Sequence, residues 1–383
     1  MSGLPEVDAE HLRFRWSDLP SPTADLPGTG GRIRRRPDDF RVEEVPAYLP
    51  QGSGSHLYLE VEKRDLTTRD LVAALMRHGL RENEIGVAGL KDKNAVTVQW
   101  ISVPRRSEAA ADALEALAGV RVLERSYHRN KLGIGHLRGN RFVVSIRDID
   151  DRAEAADRAR AVVQALRERG APNYFGPQRF GRFGNNAVDG LRVLRGESVP
   201  GGHRLRRFFV SALQSLLFNA LLAERIDEGL FGSVVTGDWA RKHDTGGVFR
   251  VEDGALESPR AARMEISATL PLYGRRVRLS DGEAGTLESR ILERYGLRWS
   301  AFGSRRGDRR PSRLLLEDVE IREDDGALVV AFMLPKGSYA TVVLRELMKV
   351  EVDAPVAYDP DGRDDHDGED DANDEEDDEE GDG

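Results

Sequence analysis

The stretch of this sequence best suited to chemistry is a short segment that carries one carboxylate between two lysines. It reads Gly89-Leu90-Lys91-Asp92-Lys93 and lies between a helical pattern and a strand pattern, so Asp92 falls on a connection. Connections on a rigid scaffold are where reactive carboxylates are commonly placed. The flanking positive charges favour the ionised carboxylate, the form that acts as a nucleophile or a base. A solvated turn uses the same residue types, and the spacing alone leaves both interpretations open.

A second segment interleaves aromatic rings with polar groups and a cation. It reads Asn173-Tyr174-Phe175-Gly176-Pro177-Gln178-Arg179-Phe180-Gly181. This mixture is typical of a site that stacks unpaired nucleobases. An aromatic cluster that closes the edge of a core has the same composition, so the two interpretations remain equal at this point.

Positive charge is concentrated in the body of the chain, and negative charge lies at its end. Arg34-Arg35-Arg36 precedes a strand pattern, and residues 1–350 hold 56 basic against 49 acidic residues, a net charge of +7. Residues 351–383 hold 18 acidic residues and one arginine, a net charge of −17. A basic body suits a polyanionic partner. We expect the tail to be disordered, and either to compete with that partner or only to aid solubility.

Several classes of site are excluded or unsupported by composition. The chain has no cysteine, which excludes disulfides, thiolate metal sites and a cysteine nucleophile. Its histidines show no metal-binding pair, and two glycine-rich stretches, Gly28–Gly31 and Gly133–Gly139, lack the spacing of nucleotide-binding loops. We expect no metal, no nucleotide cofactor and no membrane span. With no secretory signal at the N-terminus, we expect a cytoplasmic location.

Apolar patterns predict short strands and helices that alternate in the first half of the chain. The predicted strands are Phe40–Glu43, Leu57–Glu62, Val96–Val103, Phe142–Ile146 and Leu328–Leu334. The predicted helices run from Thr67 or Thr68 to Gly79, over Ala153–Arg169, and over Phe208–Glu228. This mixture predicts an α+β fold. The alternation of short strand and helix patterns ends near Gly190, which indicates a second unit over roughly 190–315.

In this order, the motifs resemble the TruD family of tRNA pseudouridine synthases. The matching segments are R-x-x-P-x-D-F-x-V-x-E (Arg34 to Glu44), A-G-L-K-D-K-x-A-V-T-x-Q-W (Ala88 to Trp100), N-Y-F-G-x-Q-R-F-G (Asn173 to Gly181), Phe218-Asn219 with Ala223-Glu224-Arg225, and L-P-K-G-S-Y-A-T (Leu334 to Thr341) with Leu344-Arg345-Glu346-Leu347. The likeness covers about residues 30 to 350. The acidic tail has no counterpart in it.

The resemblance implies a pseudouridine-synthase catalytic core, with a mixed or antiparallel sheet, interrupted by a TruD-type α+β insertion domain. We expect an irregular lead-in over 1–30, the catalytic domain over 31–190 and 315–352, the insertion over 190–315 and the acidic tail over 353–383. RNA is expected in a basic cleft between core and insertion. The protein is expected to be a monomer that binds tRNA, with uridine 13 in the D-arm as the family target.

The resemblance also implies the site residues. Asp92 is expected to be the nucleophile, attacking either C1′ of the ribose or C6 of the base, and Phe175 to stack on the target base. The substrate-binding residues are expected to be Arg34, Phe40, Lys91, Asn173, Phe175, Gln178 and Arg179. Arg34 occupies a position that is usually lysine in the family. It keeps the charge but not the shape.

Two other functions remain open from the sequence. One is a catalytically silent RNA-binding or RNA-folding protein of the same fold, which an assay for pseudouridine distinguishes. The other is an RNA hydrolase that uses a carboxylate pair and two metal ions. Its candidate carboxylates are Asp38, Asp39, Glu43 and Glu44.

Overall fold

The computed structural model describes residues 9–91, 93 and 95–352. Asp92 and the acidic tail over 353–383 lie outside the described residues. The chain divides into two compact units. Within the described residues, the unit called here the sheet unit comprises 30–156 and 317–337. The other, called the helix unit, comprises 9–29, 157–316 and 338–352.

Helices and strands are numbered along the chain. The α-helices are α1 (Thr68–Arg77), α2 (Glu108–Glu115), α3 (Arg152–Arg169), α4 (Asn186–Leu194), α5 (His203–Asp227), α6 (Gly254–Ala262), α7 (Gly282–Arg294) and α8 (Ala340–Met348). The strands are β1 (Phe40–Pro46), β2 (His56–Arg64), β3 (Gly86–Val87), β4 (Val96–Pro104), β5 (Val120–His128), β6 (Leu137–Ile146), β7 (Ala171–Pro172), β8 (Trp239–Lys242), β9 (Val248–Arg250), β10 (Ile266–Leu272), β11 (Asp308–Pro311), β12 (Arg313–Leu314), β13 (Glu317–Asp324) and β14 (Ala327–Pro335).

The sheet unit is built on one mixed sheet. Its strands follow the order β13-β14-β6-β1-β4-β2-β5, and β3 pairs with β4 beside this path. The central pair β1–β4 is parallel, with Arg41 opposite Val96, and the other strand pairs of this sheet are antiparallel. The prediction of an α+β fold with a mixed or antiparallel sheet is therefore confirmed.

Residue type explains where each strand lies in the sheet. β4 is largely apolar, with the polar residues Thr97, Gln99 and Ser102, and is buried at all nine positions, as expected of a central strand covered on both faces. Both edge strands, β5 and β13, are exposed or half-buried at nearly every position and carry several charges, which protects an edge from pairing with other chains. α1 covers one face with Leu71 and Leu75, packed against Leu59 and Ile101 of the sheet.

Helix α1 precedes the connection that contains Asp92, and its start is fixed by a local capping pattern. Thr67 caps its N-terminus: the Thr67 side chain accepts a hydrogen bond from the Asp70 backbone N–H, and the Asp70 carboxylate accepts one from the Thr67 backbone. This reciprocal pairing satisfies two N–H groups that a helix start leaves unpaired. Thr67 is therefore the residue that opens the helix, one of the two predicted from the sequence.

The helix unit is organised around the 25-residue helix α5. Leu213, Leu217, Phe218 and Leu221 of α5 are buried in a core that also contains Phe175. By length and composition α5 could cross a membrane, but 83% of its most apolar window is buried inside the protein, as in a core helix. A four-stranded sheet of order β11-β10-β8-β9 and the short pair β12–β7 complete this unit.

The division into units differs from the sequence-based boundary. The sequence places 157–189 with the catalytic domain, whereas the division places these residues with the helix unit. The same holds for 338–352, and the predicted separate lead-in also belongs to the helix unit up to Thr29. The predicted domain boundaries remain a prediction, because compactness alone does not identify a functional domain.

Candidate functional site

The residue before Asp92 is held in place through both of its backbone groups. The Lys91 N–H donates a hydrogen bond to Thr68 Oγ1 over 2.8 Å, and Thr68 Oγ1 donates to Gln99 Oε1 over 2.8 Å. The Lys91 carbonyl accepts a hydrogen bond from Lys63 Nζ at 3.1 Å. Lys63, Thr68 and Gln99 are fully buried. The backbone of Lys91 is therefore fixed on both sides, directly before Asp92, which lies outside the described residues.

The side chain of Lys91 adds a third attachment. Lys91 Nζ lies 3.1 Å from Glu44 Oε2, and both side chains are almost completely buried. Glu44 also accepts a hydrogen bond from the Trp100 N–H at 3.3 Å. A buried ion pair is strongly destabilised when only one partner is removed. The flanking charges thus differ: Lys91 is balanced by Glu44, whereas Lys93 is exposed.

Arg34 differs from the two arginines that follow it. Its guanidinium lies 4.0 Å from the centre of the Phe40 ring, a cation–π contact, and Phe40 is buried. Arg34 has a φ of 58°, a left-handed conformation that is uncommon for a non-glycine residue. Arg35 and Arg36 instead pair with surface carboxylates, those of Asp148 and Asp325. The strained backbone and the aromatic contact single out Arg34 within the basic run.

The four carboxylates considered for a two-metal site are each paired with a cation. The pairs are Asp38 with Arg64, Asp39 with Arg147, Glu43 with Arg41, and Glu44 with Lys91. Among the described residues there is also no group of three histidine, aspartate or glutamate side chains arranged to hold a metal. These pairings favour structural roles for the four carboxylates over metal ligation.

In the helix unit, Asn173 is fixed by a strand from a distant part of the chain. Its N–H donates to the Ser312 carbonyl at 3.0 Å, and its Nδ2 donates to the Pro311 carbonyl at 2.8 Å. Arg310 donates to the Asn173 main-chain oxygen at 3.2 Å and to Asn173 Oδ1. Because Asn173 Nδ2 donates to the Pro311 carbonyl and Asn173 Oδ1 accepts from Arg310, the orientation of the amide is fixed.

Phe175 is held through its backbone by a side chain of α5. Its N–H donates to Asn219 Oδ1 at 2.8 Å, and its carbonyl accepts from Asn219 Nδ2 at 2.9 Å. The ring is 1% exposed and meets the Phe218 ring edge-on at 5.4 Å. Tyr339 and the Arg310 guanidinium also lie against it, the latter at 4.2 Å from the ring centre. Phe175 is thus a core aromatic with a cation against its ring, and base stacking by this segment stays a prediction.

Gln178 and Arg179 have different surroundings. Gln178 Oε1 is buried and, among the described residues, accepts no hydrogen bond. Arg179 is buried and donates to Ser211 and Ser215 of α5, which ties the segment to that helix. Gly176 allows this packing, since a Cβ there would lie 2.7 Å from Gln178 Oε1.

The expected site residues therefore form two described groups, one in each unit. Arg34, Phe40 and Lys91 belong to the sheet unit, with Arg34 on Phe40 and Lys91 beside position 92. Asn173, Phe175, Gln178 and Arg179 share one short segment of the helix unit. The sequence did not identify the groups that hold them. These are Lys63, Thr68, Glu44, Asn219 and Arg310. Asn219 and Glu44 had a signal, since each belongs to a matching motif, but neither was assigned this role.

Comparison with known proteins agrees with the sequence motifs. The family model for tRNA pseudouridine synthase D (TruD) matches residues 20–200 and 197–347. A tRNA pseudouridine synthase D of Thermus thermophilus is 51% identical over 341 residues, which cover 89% of this chain and 95% of the relative. One from Anaeromyxobacter dehalogenans is 50% identical over 350 residues, covering 88% and 99%.

A solved structure is similar over nearly the same length. It is a protein of Methanosarcina mazei assigned as tRNA pseudouridine synthase D (TruD), 25% identical, with a TM-score of 0.70. The match covers 92% of this chain and 99% of that one. The match of the family model across most of the sequence and the two relatives at about half identity lead to one conclusion: the chain belongs to the tRNA pseudouridine synthase D (TruD) family.

Proposed function

We propose that this chain converts a uridine of tRNA into pseudouridine with Asp92 as its nucleophile, and that its target is uridine 13 in the D-arm. Family membership supports the reaction. The observation that carries the assignment of Asp92 is the anchoring of Lys91 by Thr68, Lys63 and Glu44. Three buried attachments on the residue directly before Asp92 are more than a solvated turn needs, and they support a functional role for this connection.

The chemistry requires a carboxylate and a site that holds a detached base. The bond from N1 to C1′ breaks, the base turns, and C5 forms the new bond to C1′. C5 loses its proton to solvent, and N1 gains one. A carboxylate assists by adding to C1′ or to C6 and leaving again. No redox or phosphoryl-transfer step is involved.

Each remaining residue has a proposed role in binding. Phe175 stacks on the uracil, since the nucleotide must leave its helical stack to be reached. Asn173 and Gln178 offer hydrogen-bonding groups near that ring, and Arg34 supplies a cation next to Phe40. Arg179 and Lys91 act through the segments they anchor. The body charge of +7 suits tRNA as the partner. We propose a cytoplasmic monomer that uses neither metal nor nucleotide cofactor.

The test is release of tritium from C5 of uridine in tRNA incubated with the purified protein, followed by mapping of the modified position. Release with modification at uridine 13 supports the proposal. Release from another position retains the reaction but corrects the target. Tight tRNA binding without tritium release would instead identify a catalytically silent RNA-binding protein.

The two neighbouring arginines are expected to differ when replaced. Arg34→Ala should lower the rate at saturating tRNA, because it removes the cation stacked on Phe40 at the family's basic position. Arg35→Ala removes an exposed partner of Asp148 and should mainly weaken binding. Single-turnover rates and tRNA affinities of both variants test this. Equal defects confined to affinity would show that Arg34 has no special role.

Thr68→Val tests the anchoring of Lys91. The substitution keeps the shape but removes the oxygen that accepts the Lys91 N–H, which costs about 1–3 kcal/mol when a buried donor is left unpaired. We expect a lower single-turnover rate in protein that remains folded, measured beside thermal unfolding. A matched control is Thr269→Val, which removes a buried hydroxyl bonded to the Trp239 carbonyl in the other unit. Equal rates for both variants would contradict a specific role for Thr68.

A further inference from the structure

Arg310 contacts two of the four expected site residues of the helix unit, Asn173 and Phe175. It lies on β11, at a sequence distance of 137 residues from Asn173. We propose that Arg310 is a positioning residue that fixes the Asn173 amide and the Phe175 ring for the reaction. The proposal rests on the proposed function and adds a residue outside the motifs that indicate it.

The hydrogen bonds of Arg310 control the conformation of Asn173. Its Nε donates to the main-chain oxygen of Asn173 at 3.2 Å, and its Nη2 donates to Oδ1 of the same residue. One planar guanidinium thus binds the backbone and the side chain of one residue together. Lysine cannot reproduce this, because a single ammonium group lacks the fixed fork of donors.

The same guanidinium also restrains the Phe175 ring. Its carbon lies 4.2 Å from the centre of the ring. The Phe175 backbone is held separately by Asn219, so the side-chain torsions are what the guanidinium can still fix. A stacking ring must be held close to its reacting geometry, since displacement of about 1 Å can cost 100-fold in rate.

Two nearby arginines, Arg309 and Arg313, have the contacts expected of purely structural residues. Arg309 pairs with Glu288 and donates to the Thr269 carbonyl. Arg313 donates to three main-chain oxygens and to Ser267, and it is 1% exposed. None of the hydrogen bonds just named goes to an expected site residue. Arg310 is half-buried, and its contacts include the expected site residues Asn173 and Phe175.

The experiment compares Arg310→Met and Arg310→Lys with the wild-type chain. For both, we expect the single-turnover rate at saturating tRNA to fall roughly tenfold or more, with tRNA affinity and unfolding temperature close to wild type. Because Arg310 acts partly through the ring, Phe175→Leu combined with Arg310→Met should lose less than the product of the two single losses. Arg278→Met is the control, since it removes an exposed guanidinium 5.1 Å from the Trp239 ring in the same unit.

Rates of both Arg310 variants within about twofold of wild type would overturn the proposal. So would fully multiplicative losses in the double variant, or failure of both variants to fold, which would assign a structural role. These outcomes differ from failure of the proposed function, where the wild-type chain itself would release no tritium from tRNA.

Discussion

Asp92→Asn is expected to abolish pseudouridine formation, lowering the single-turnover rate on the order of 10³-fold or more. The amide has nearly the same shape as the carboxylate but cannot add to C1′ or C6 as an anion. The attachments that hold the preceding residue use the atoms of Lys91, Thr68, Lys63 and Glu44, so they remain in the variant. Stability and tRNA affinity should therefore stay near wild type. Tritium release under single-turnover conditions measures the loss.

The control for Asp92→Asn is a loop aspartate of the same unit. Asp65 is exposed and has a φ of 55°, a conformation that asparagine also adopts readily. Asp65→Asn should leave the rate unchanged. If Asp92 only caps a turn, its replacement would cost about 1 kcal/mol of stability and little activity. A rate for Asp92→Asn above about a tenth of wild type would rule out the nucleophile.

The sequence predicts the interior of the sheet better than its edges. Val96–Val103 is largely apolar and Leu328–Leu334 is apolar throughout, and the strands found there, β4 and β14, extend each by only one or two residues. β13 carries charged side chains on both faces, as an edge strand does, so its sequence lacks the alternation that would indicate a strand. β5 was not predicted either, and it too carries several charged residues, Arg121, Glu124 and Arg125.

The ends of helices are also predicted less well than their interiors. The apolar pattern places the start of the long helix at Phe208, whereas α5 begins at His203. Its first turn is His-Arg-Leu-Arg-Arg, and polar residues in a first turn carry little periodic signal. Thr67 was a usable signal because a threonine cap followed by Asp70 is a local pattern.

The site shows which information the sequence cannot supply by itself. Motifs indicate Lys91, Asn173 and Phe175, because each belongs to a continuous stretch. Their partners come from remote positions: Asn219 is 44 residues from Phe175, and Arg310 is 137 residues from Asn173. Such pairs depend on packing between elements, which a single sequence does not encode locally.

Phe175→Leu is expected to lower the single-turnover rate roughly ten- to 100-fold, because stacking of an aromatic ring on a base contributes about 1–3 kcal/mol. Phe175→Tyr preserves the ring face and should retain most of the rate. Alanine is a poorer test at this position. The ring is buried against Phe218 and Tyr339, so truncation would leave a cavity that costs about 3–5 kcal/mol in stability.

Phe180→Leu is the control that separates the loss of base stacking by Phe175 from the loss of packing in the core. Phe180 belongs to the same segment, is fully buried, and stacks on Phe14 with ring centres 4.6 Å apart. Leucine at either position removes an aromatic contact from the core, so both variants should lose comparable stability in thermal unfolding. Only Phe175→Leu should also lose rate in protein that is fully folded and saturated with tRNA. Equal rates for the two variants, or a loss of rate that follows stability alone, would show that Phe175 serves the core rather than the base.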